Sequence, residues 1–375
     1  MKCHAVIGAQ FGDEGKGKAV SHFCSELPNP LVIRFSGGQQ AGHRVQLKNG
    51  LSHVHSNFGS GTLQGEQSYF NNTCTIDPFG IRNEYSVLES KGITPTLFID
   101  DFCPVTTVFD KSENEKFDKL NKHGSCRVGV GQTYQREEDN YSLLFMDLFY
   151  PSVVKKKLRL IVENYYKYDI NMLQVQQCIK EFEDDCEWLV NCNSIYRGNE
   201  ICITDYENII FEGSQGLLLD QRIGFFPHVS RGNFGLETVK IFLNDMLGVL
   251  SVSLVTRAYQ TRHGNGPMTN EDMPHTIMPN PYEENPDDGA QGKFRIAPLD
   301  LDLLTYAIDT QYILGEIENK ELIVTCLDCL NDYVLTYKGL TYTLKSETEF
   351  LEMIRTITRM PLRISKTPTP ELEVF

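Results

Sequence analysis

Long apolar runs are missing from this chain. No stretch approaches the ~18 uninterrupted apolar residues that span a bilayer, and the first residues, MKCHAVIGAQFG, carry charge and glycine where a signal peptide carries an apolar core. No membrane association is expected, and a cytoplasmic location follows. Positive charge is also in deficit: 35 Lys and Arg face 50 Asp and Glu, a formal charge of -15. Such a surface repels a nucleic acid backbone, so nucleic acid is not expected as a partner and any bound phosphate should sit in a local pocket. Repeats and low-complexity tracts are absent. With 41% hydrophobic and 23% charged residues, the composition excludes collagen-like, coiled-coil and disordered chains.

The eleven cysteines form no framework. Only Cys326-Leu327-Asp328-Cys329 has C-x-x-C spacing, and it lacks the second pair or nearby His that would complete a zinc site. Reduced, mostly buried thiols are the expectation. Linker-like runs are lacking too, which points to one domain over 1–375 with a helical insertion at about 150–200.

What is present is an alternation of short β-branched runs with helical patterns. Ala5-Val6-Ile7, Leu31-Val32-Ile33, Leu97-Phe98-Ile99, Ile209-Ile210-Phe211, Val252 to Val255 and Leu322-Ile323-Val324 read as buried strands. Helical spacing is clearest over 152–165, 171–190, 236–248 and 300–313. The fold class is therefore α/β, with a large, mostly parallel central sheet flanked by helices. Asn49-Gly50 between two alternating runs predicts a local hairpin.

The first strand enters Gly8-Ala9-Gln10-Phe11-Gly12-Asp13-Glu14-Gly15-Lys16-Gly17-Lys18 and then a helix. Gly12 to Lys18 fits G-x-x-x-x-G-K, whose glycines let backbone N–H groups and a helix N-terminus face phosphate. Ala19 stands where a P-loop needs a magnesium-binding hydroxyl, so Asp13 is the available carboxylate. The bland alternative is a glycine-rich turn with Lys16 and Lys18 in solvent. Two further glycine loops, Ser36-Gly37-Gly38-Gln39-Gln40-Ala41-Gly42-His43 and Phe211-Glu212-Gly213-Ser214-Gln215-Gly216, also follow buried strands, where open sheets bind their ligands.

These loops together resemble the adenylosuccinate synthetase family. The first is similar to its aromatic-Gly-Asp-Glu-Gly-Lys-Gly-Lys signature, the second to Gly-Gly-His-Asn-Ala-Gly-His and the third to Phe-Glu-Gly-Ala-Gln-Gly. Thr325-Cys326-Leu327-Asp328 resembles the family's Thr-Lys-Leu-Asp. The resemblance implies a P-loop-like fold of this type and a ligase joining L-aspartate to a 6-oxopurine nucleoside monophosphate. The γ-phosphoryl of a nucleoside triphosphate first activates O6, and the aspartate amine then displaces phosphate.

By the resemblance Asp13 takes the N1 proton and ligates Mg2+ together with the Gly42 carbonyl. His43 serves the oxygen on which charge develops, Lys16 steadies the phosphates, and Gln215 faces the purine. The triphosphate would lie along Gly12, Asp13, Glu14, Gly15, Lys16, Gly17 and Lys18, with Gly42, His43, Arg295, Cys326, Asp328 and Ser365. The monophosphate would meet Asp13, Gln40, Ala41, Ser125, Cys126, Gln215, Ser230 and Lys293. Aspartate would be held by Gly289-Ala290-Gln291-Gly292-Lys293 and Arg295. A homodimer is implied as well.

Departures from the pattern bear on specificity. Cys326 replaces the Lys that reads guanine, so ATP or dATP becomes a plausible donor. The aspartate loop is shorter, with Lys293 in place of an Arg. The Arg that the family lends across its dimer aligns near Asn140, with Arg136 the nearest cation. These changes are similar to a phage branch that makes 2-aminoadenylosuccinate from dGMP for diaminopurine DNA, although several of its members carry Ser where Asp13 stands. On that reading dGMP is the acceptor and a host cytoplasm the location. The alternatives are a conventional synthetase using IMP and GTP, and a nucleotide-binding switch without ligase activity.

Overall fold

The computed structural model describes residues 1–375 except 122–124, 244–248 and 284–290. In chain order the strands are β1 (Lys2–Gly8), β2 (Pro30–Phe35), β3 (His43–Gln46), β4 (Ser52–His55), β5 (Gln67–Phe70), β6 (Leu97–Ile99), β7 (Ile195–Arg197), β8 (Asn208–Gly216), β9 (Val249–Arg257), β10 (Tyr259–Arg262), β11 (Arg295–Asp300), β12 (Asn319–Thr325), β13 (Tyr333–Tyr337), β14 (Leu340–Leu344), β15 (Leu362–Ile364) and β16 (Glu373–Val374). The α-helices are α1 (Lys16–Glu26), α2 (Pro78–Ser90), α3 (Val108–Asn121), α4 (Val130–Glu138), α5 (Pro151–Leu160), α6 (Leu173–Asn191), α7 (Leu236–Leu243), α8 (Leu301–Asp309) and α9 (Glu347–Thr358).

Ten strands form one sheet in the order β16-β15-β12-β9-β1-β8-β2-β5-β6-β7. Every pairing in it is parallel except that of β15 with the edge strand β16. Side chains alternate between the two faces of a strand, so a sheet covered on both sides needs apolar residues at consecutive positions. Val6, Val32, Ile210, Val255 and Ile323 pack against Ala19, Val20 and Phe23 of α1. Their neighbours Ala5, Ile7, Ile33 and Phe211 turn the other way, toward Leu236 and Val239 of α7 and Leu301 and Leu304 of α8. Helices α2, α5 and α6 cover the far end of the sheet through Ile81, Leu88, Leu158, Phe182 and Leu189.

The helical patterns at 152–165 and 300–313 are each broken once. Helix α5 passes into a π-helical turn at Ile161–Tyr165, and α8 ends at Asp309 before a 3-10 turn at Tyr312–Glu316. The side-chain spacing of such turns is close enough to 3.6 to extend the apparent period. The helix expected over 236–248 runs to Leu243, and 244–248 lie outside the described residues. The hairpin is present as antiparallel β3 and β4, with Gly50 at φ 86°. A smaller sheet, β10-β11-β13-β14, was not evident in the sequence pattern.

Parallel register brings Gly8, Gly216, Phe35, Arg257 and Thr325 to one edge of the large sheet. There the loops after β1, β2 and β8 face one another.

Candidate active site

A cleft of about 480 Å³ opens at this edge. Its first wall is the loop after β1. Gly12 and Gly15 have φ of 93° and 97°, and Asp13 between them is also left-handed at 60°, so the loop turns sharply before α1 begins at Lys16. Glu14 is fully buried beneath the turn. Its Oε1 accepts hydrogen bonds from the backbone N–H of Gln10 at 3.1 Å and Gly12 at 3.0 Å, while Oε2 accepts from Lys16 Nζ at 2.6 Å. Gly8 and Gly216 leave room for that carboxylate: a Cβ at Gly8 would lie 2.4 Å from Glu14 Oε2 and one at Gly216 2.3 Å from Glu14 Oε1. An internal anion thus occupies two loop N–H groups and the Lys16 ammonium. Lys18 donates to Ser365 Oγ at 3.1 Å and to the Thr367 carbonyl, so Ser365 stands behind the lysine and is not among the cleft-lining residues.

Asp13 borders the cleft and is 3.4 Å from His263 Nε2. Burial would raise its pKa, but His263, Arg257 and Lys16 outweigh burial and hold it below the ordinary value. Its carboxylate is therefore ionised at neutral pH. Arg257, buried at the end of β9, donates from Nε to the Asp13 carbonyl and pairs with Glu283 at 2.9 Å.

His43 opens β3, lines the same cleft and packs close to Gly17, where a Cβ would lie 2.8 Å from that of His43. Its Nδ1 lies 2.5 Å from Glu212 Oε1 on β8, and its Nε2 lies 3.3 Å from the Ser214 carbonyl. Glu212 is fully buried and accepts from the Ser60 N–H at 2.9 Å and from the Ser60 hydroxyl. Burial pushes both groups toward neutrality. For Glu212 that push is overcome by His43, Arg34 and Ser60, which hold its pKa down at about 2. For His43 burial prevails over Glu212, and its pKa falls below 6.5. The result is a nearly neutral ring oriented by a fixed carboxylate. Arg34 anchors the loop above by donating to Ser56 O at 2.7 Å and Ala41 O at 3.0 Å.

Gln40, Ala41, Gly42, Ser125, Cys126, Gln215, Ser230 and Gln291 line the same cleft. Ser125 Oγ accepts from Asn114 Nδ2 at 3.0 Å and from the Arg127 N–H at 3.1 Å. Cys326, Asp328, Asn280 and Thr367 also line the cleft, with Asn280 Nδ2 4.0 Å from Cys326 Sγ. Cys326 is left-handed at φ 58° and starts a short 3-10 turn. A hydrogen bond from Cys329, with the charges of Arg257 and Lys18, overcomes burial and lowers the Cys326 thiol to about 6.

Several expected residues are elsewhere. Gly289 and Ala290 lie outside the described residues. Gly292, Lys293 and Arg295 are not among the lining residues. Arg295 pairs through Nη1 with Glu271 at 2.8 Å and donates through Nη2 to Gly264 O and Gly266 O. Arg136 is fully buried, 3.0 Å from Asp110, so its charge is used inside the chain and does not reach a partner subunit. Sequence reasoning missed Glu212, Arg257, Arg262 and His263. The available signal was charge within otherwise apolar strands, where a buried ion needs a partner.

The adenylosuccinate synthetase family model matches residues 5–366. The chain belongs to this family. A curated relative, the adenylosuccinate synthetase of Acetivibrio thermocellus, is 31% identical over 72% of this synthetase-family chain, which spans 66% of that relative, just under two thirds of its length. Among solved structures, a fully ligated adenylosuccinate synthetase from Plasmodium falciparum has a TM-score of 0.76 at 17% identity, covering 99% of both chains. Cyanophage S-2L succinoaminodeoxyadenylate synthetase, bound to dGMP and dATP, has a TM-score of 0.61 at 14% identity, covering 100% of this chain and 95% of its own. Both structures share the fold with this family member.

Proposed function

We propose that the protein joins L-aspartate to C6 of a 6-oxopurine nucleoside monophosphate at the expense of a nucleoside triphosphate. The observation that carries this reading is that ionised Asp13 and the Glu212-oriented His43 line one cleft. Phosphorylating an amide-like oxygen requires removal of the N1 proton and stabilisation of the oxygen as charge builds on it. Asp13 takes the proton. His43 faces the oxygen, with Glu212 holding the ring in one orientation. The triphosphate displaces Glu14 as the anion facing Lys16, and Gln215 contacts the purine edge.

Ionised Asp13 and the Gly42 carbonyl offer hard oxygen donors, which suit Mg2+. Bound there, the ion would neutralise charge on the donor phosphates. A homodimer in the cytoplasm accompanies this reading, with Ser125 on the acceptor phosphate and Arg295 released from Glu271 to meet the aspartate carboxylate.

The 31% identical relative supports the conventional acceptor, IMP, as the first choice. The second reading, dGMP with ATP or dATP, is favoured by Cys326, which lines the cleft at the position where the family pattern has Lys and where a thiol cannot match the donor bond of a Lys. Incubation with Mg2+, aspartate and each pairing of IMP or dGMP with GTP or ATP, followed by mass analysis, tests both. An aspartate adduct of IMP is expected. An adduct of dGMP alone would establish the second reading, and no adduct with either nucleotide would defeat the proposal.

A further inference from the structure

Behind the cleft lies a second cluster that the ligase reading leaves unused. Strand β4 alternates burial, so His53 and His55, two residues apart, point to the same side and are 8% and 0% exposed. Glu84 of α2, 7% exposed, approaches them from across the hairpin. His53 Nε2 is 3.1 Å and His55 Nδ1 4.0 Å from the same oxygen, Glu84 Oε1. One ligand atom from each of the three residues falls within a 4.8 Å span.

Among the described residues no group hydrogen-bonds either ring nitrogen of fully buried His55. Native proteins rarely leave such atoms unpaired, and an unpaired imidazole aimed at a second imidazole and a carboxylate is a ligand set awaiting an ion. We propose that His53, His55 and Glu84 bind one zinc-type divalent cation and so tie the β3–β4 hairpin to α2.

The dimensions and the chemistry agree. Zinc bonds of about 2.0–2.2 Å at a tetrahedral centre put ligand atoms about 3.3 Å apart, so the observed 4.8 Å span has to close by roughly 1.5 Å, which side-chain rotation of the two histidines toward Glu84 can supply. Glu84 is already oriented: its Oε2 accepts from the Asn57 N–H at 2.6 Å and Asn57 Nδ2 at 3.0 Å, and the Ser56 N–H is shared between Oε2 at 3.1 Å and Oε1 at 3.2 Å, so Oε1 faces the histidines with one backbone bond steadying it. Bonds of this kind, made to a ligand from behind, raise its affinity for metal. Burial and neighbouring His53 keep His55 well below the usual histidine range, so its lone pair is free. The exposed Lys91, at 3.2 Å from His53 Nδ1, must turn away when Nε2 takes the metal, and it retains its 2.7 Å bond to the Ser52 carbonyl. Imidazole and carboxylate donors favour zinc over magnesium, so this site is distinct from the one containing Asp13. His55 lies directly across from His43 in the hairpin register, and the ion would brace the strand that carries it.

Cobalt(II) provides a direct probe. The full chain, stripped with a chelator, should take up one equivalent of Co2+ with the visible absorption of a tetrahedral nitrogen and oxygen site and without a thiolate band. Excess zinc should displace it. Both His53→Gln and His55→Asn should weaken uptake by more than about tenfold, while Cys326→Ser should leave it unchanged. Zinc should also raise the melting temperature of the wild type and not of His53→Gln, which keeps the test valid if His55→Asn does not fold. No visible Co2+ band in the wild type would overturn the proposal. So would undiminished uptake by a folded His53→Gln, or a thiolate band that Cys326→Ser abolishes.

Discussion

The two ends of the cleft are built differently. At the phosphate end, the polar groups are locked in place: Glu14 is held by two backbone N–H groups and Lys16, and Glu212 by His43 and Ser60. At the proposed donor-base and aspartate end, side chains are paired with partners outside the cleft or depart from the family pattern, as Arg295 does with Glu271 and Cys326 does in place of Lys. The first end can pre-organise chemistry because these groups are oriented before a ligand arrives, with only the Glu14–Lys16 pair to be opened by the proposed triphosphate. The second can change nucleotide preference while the chemical groups stay as they are.

The sharpest way to break this contrast is at Asp13. Asp13→Asn removes the proposed base and the charge of a magnesium ligand while suiting the left-handed backbone (φ 60°) that alanine would strain, so turnover should fall by at least ~10²-fold. A rate within about tenfold of wild type would contradict the role.

Glu212→Gln should lower kcat by on the order of 10²-fold while leaving nucleotide KM nearly unchanged, because it loosens the ring that serves the transition state and not the ground state. A rise in KM equal to the loss in kcat would make His43 and Glu212 a binding pair instead.

Acid titration probes the buried groups of the phosphate end, and of the hairpin beside it, by stability. Glu212 falls from 4.5 to about 2 on folding, so it stabilises the native state above pH 4.5 by on the order of 3 kcal/mol, lost as pH drops toward 2. His43 and His55 are also depressed on folding, which begins the loss below pH 6.5. Denaturant midpoints should decline through both windows. In Glu212→Gln the decline between 4.5 and 2 should be shallower.

The smallest expected effect lies at the base end. Cys326→Lys restores a donor toward guanine O6 and should shift preference toward GTP over ATP by about tenfold, with kcat for the better donor little changed. Competition between the two triphosphates reads this directly; no shift would mean that Cys326 does not face the base.

The phosphate end was largely legible in the sequence, since glycines and lysines crowded between an apolar run and a helix have few structural explanations. The buried anions beneath it were not. Glu212 reads as part of a strand, and its partner His43 is 169 residues away. Glu14 reads by the resemblance as one of the triphosphate-binding loop residues, and only the missing Cβ atoms of Gly8 and Gly216 reveal the buried space its carboxylate fills. At the other end, residue type disclosed what Arg295 can bind but not that Glu271 already holds it. The sheet order was legible in kind, as parallel and covered on both faces, because β1, β2 and β8 are apolar at consecutive positions.

Release of inorganic phosphate by the full chain with Mg2+ tests the central claim most directly, measured with triphosphate alone, then with IMP or dGMP, then with aspartate as well. Sustained release is expected only when triphosphate, a 6-oxopurine nucleotide and aspartate are all present. Equal release from the triphosphate alone would contradict the ligase and establish a nucleotide-hydrolysing switch.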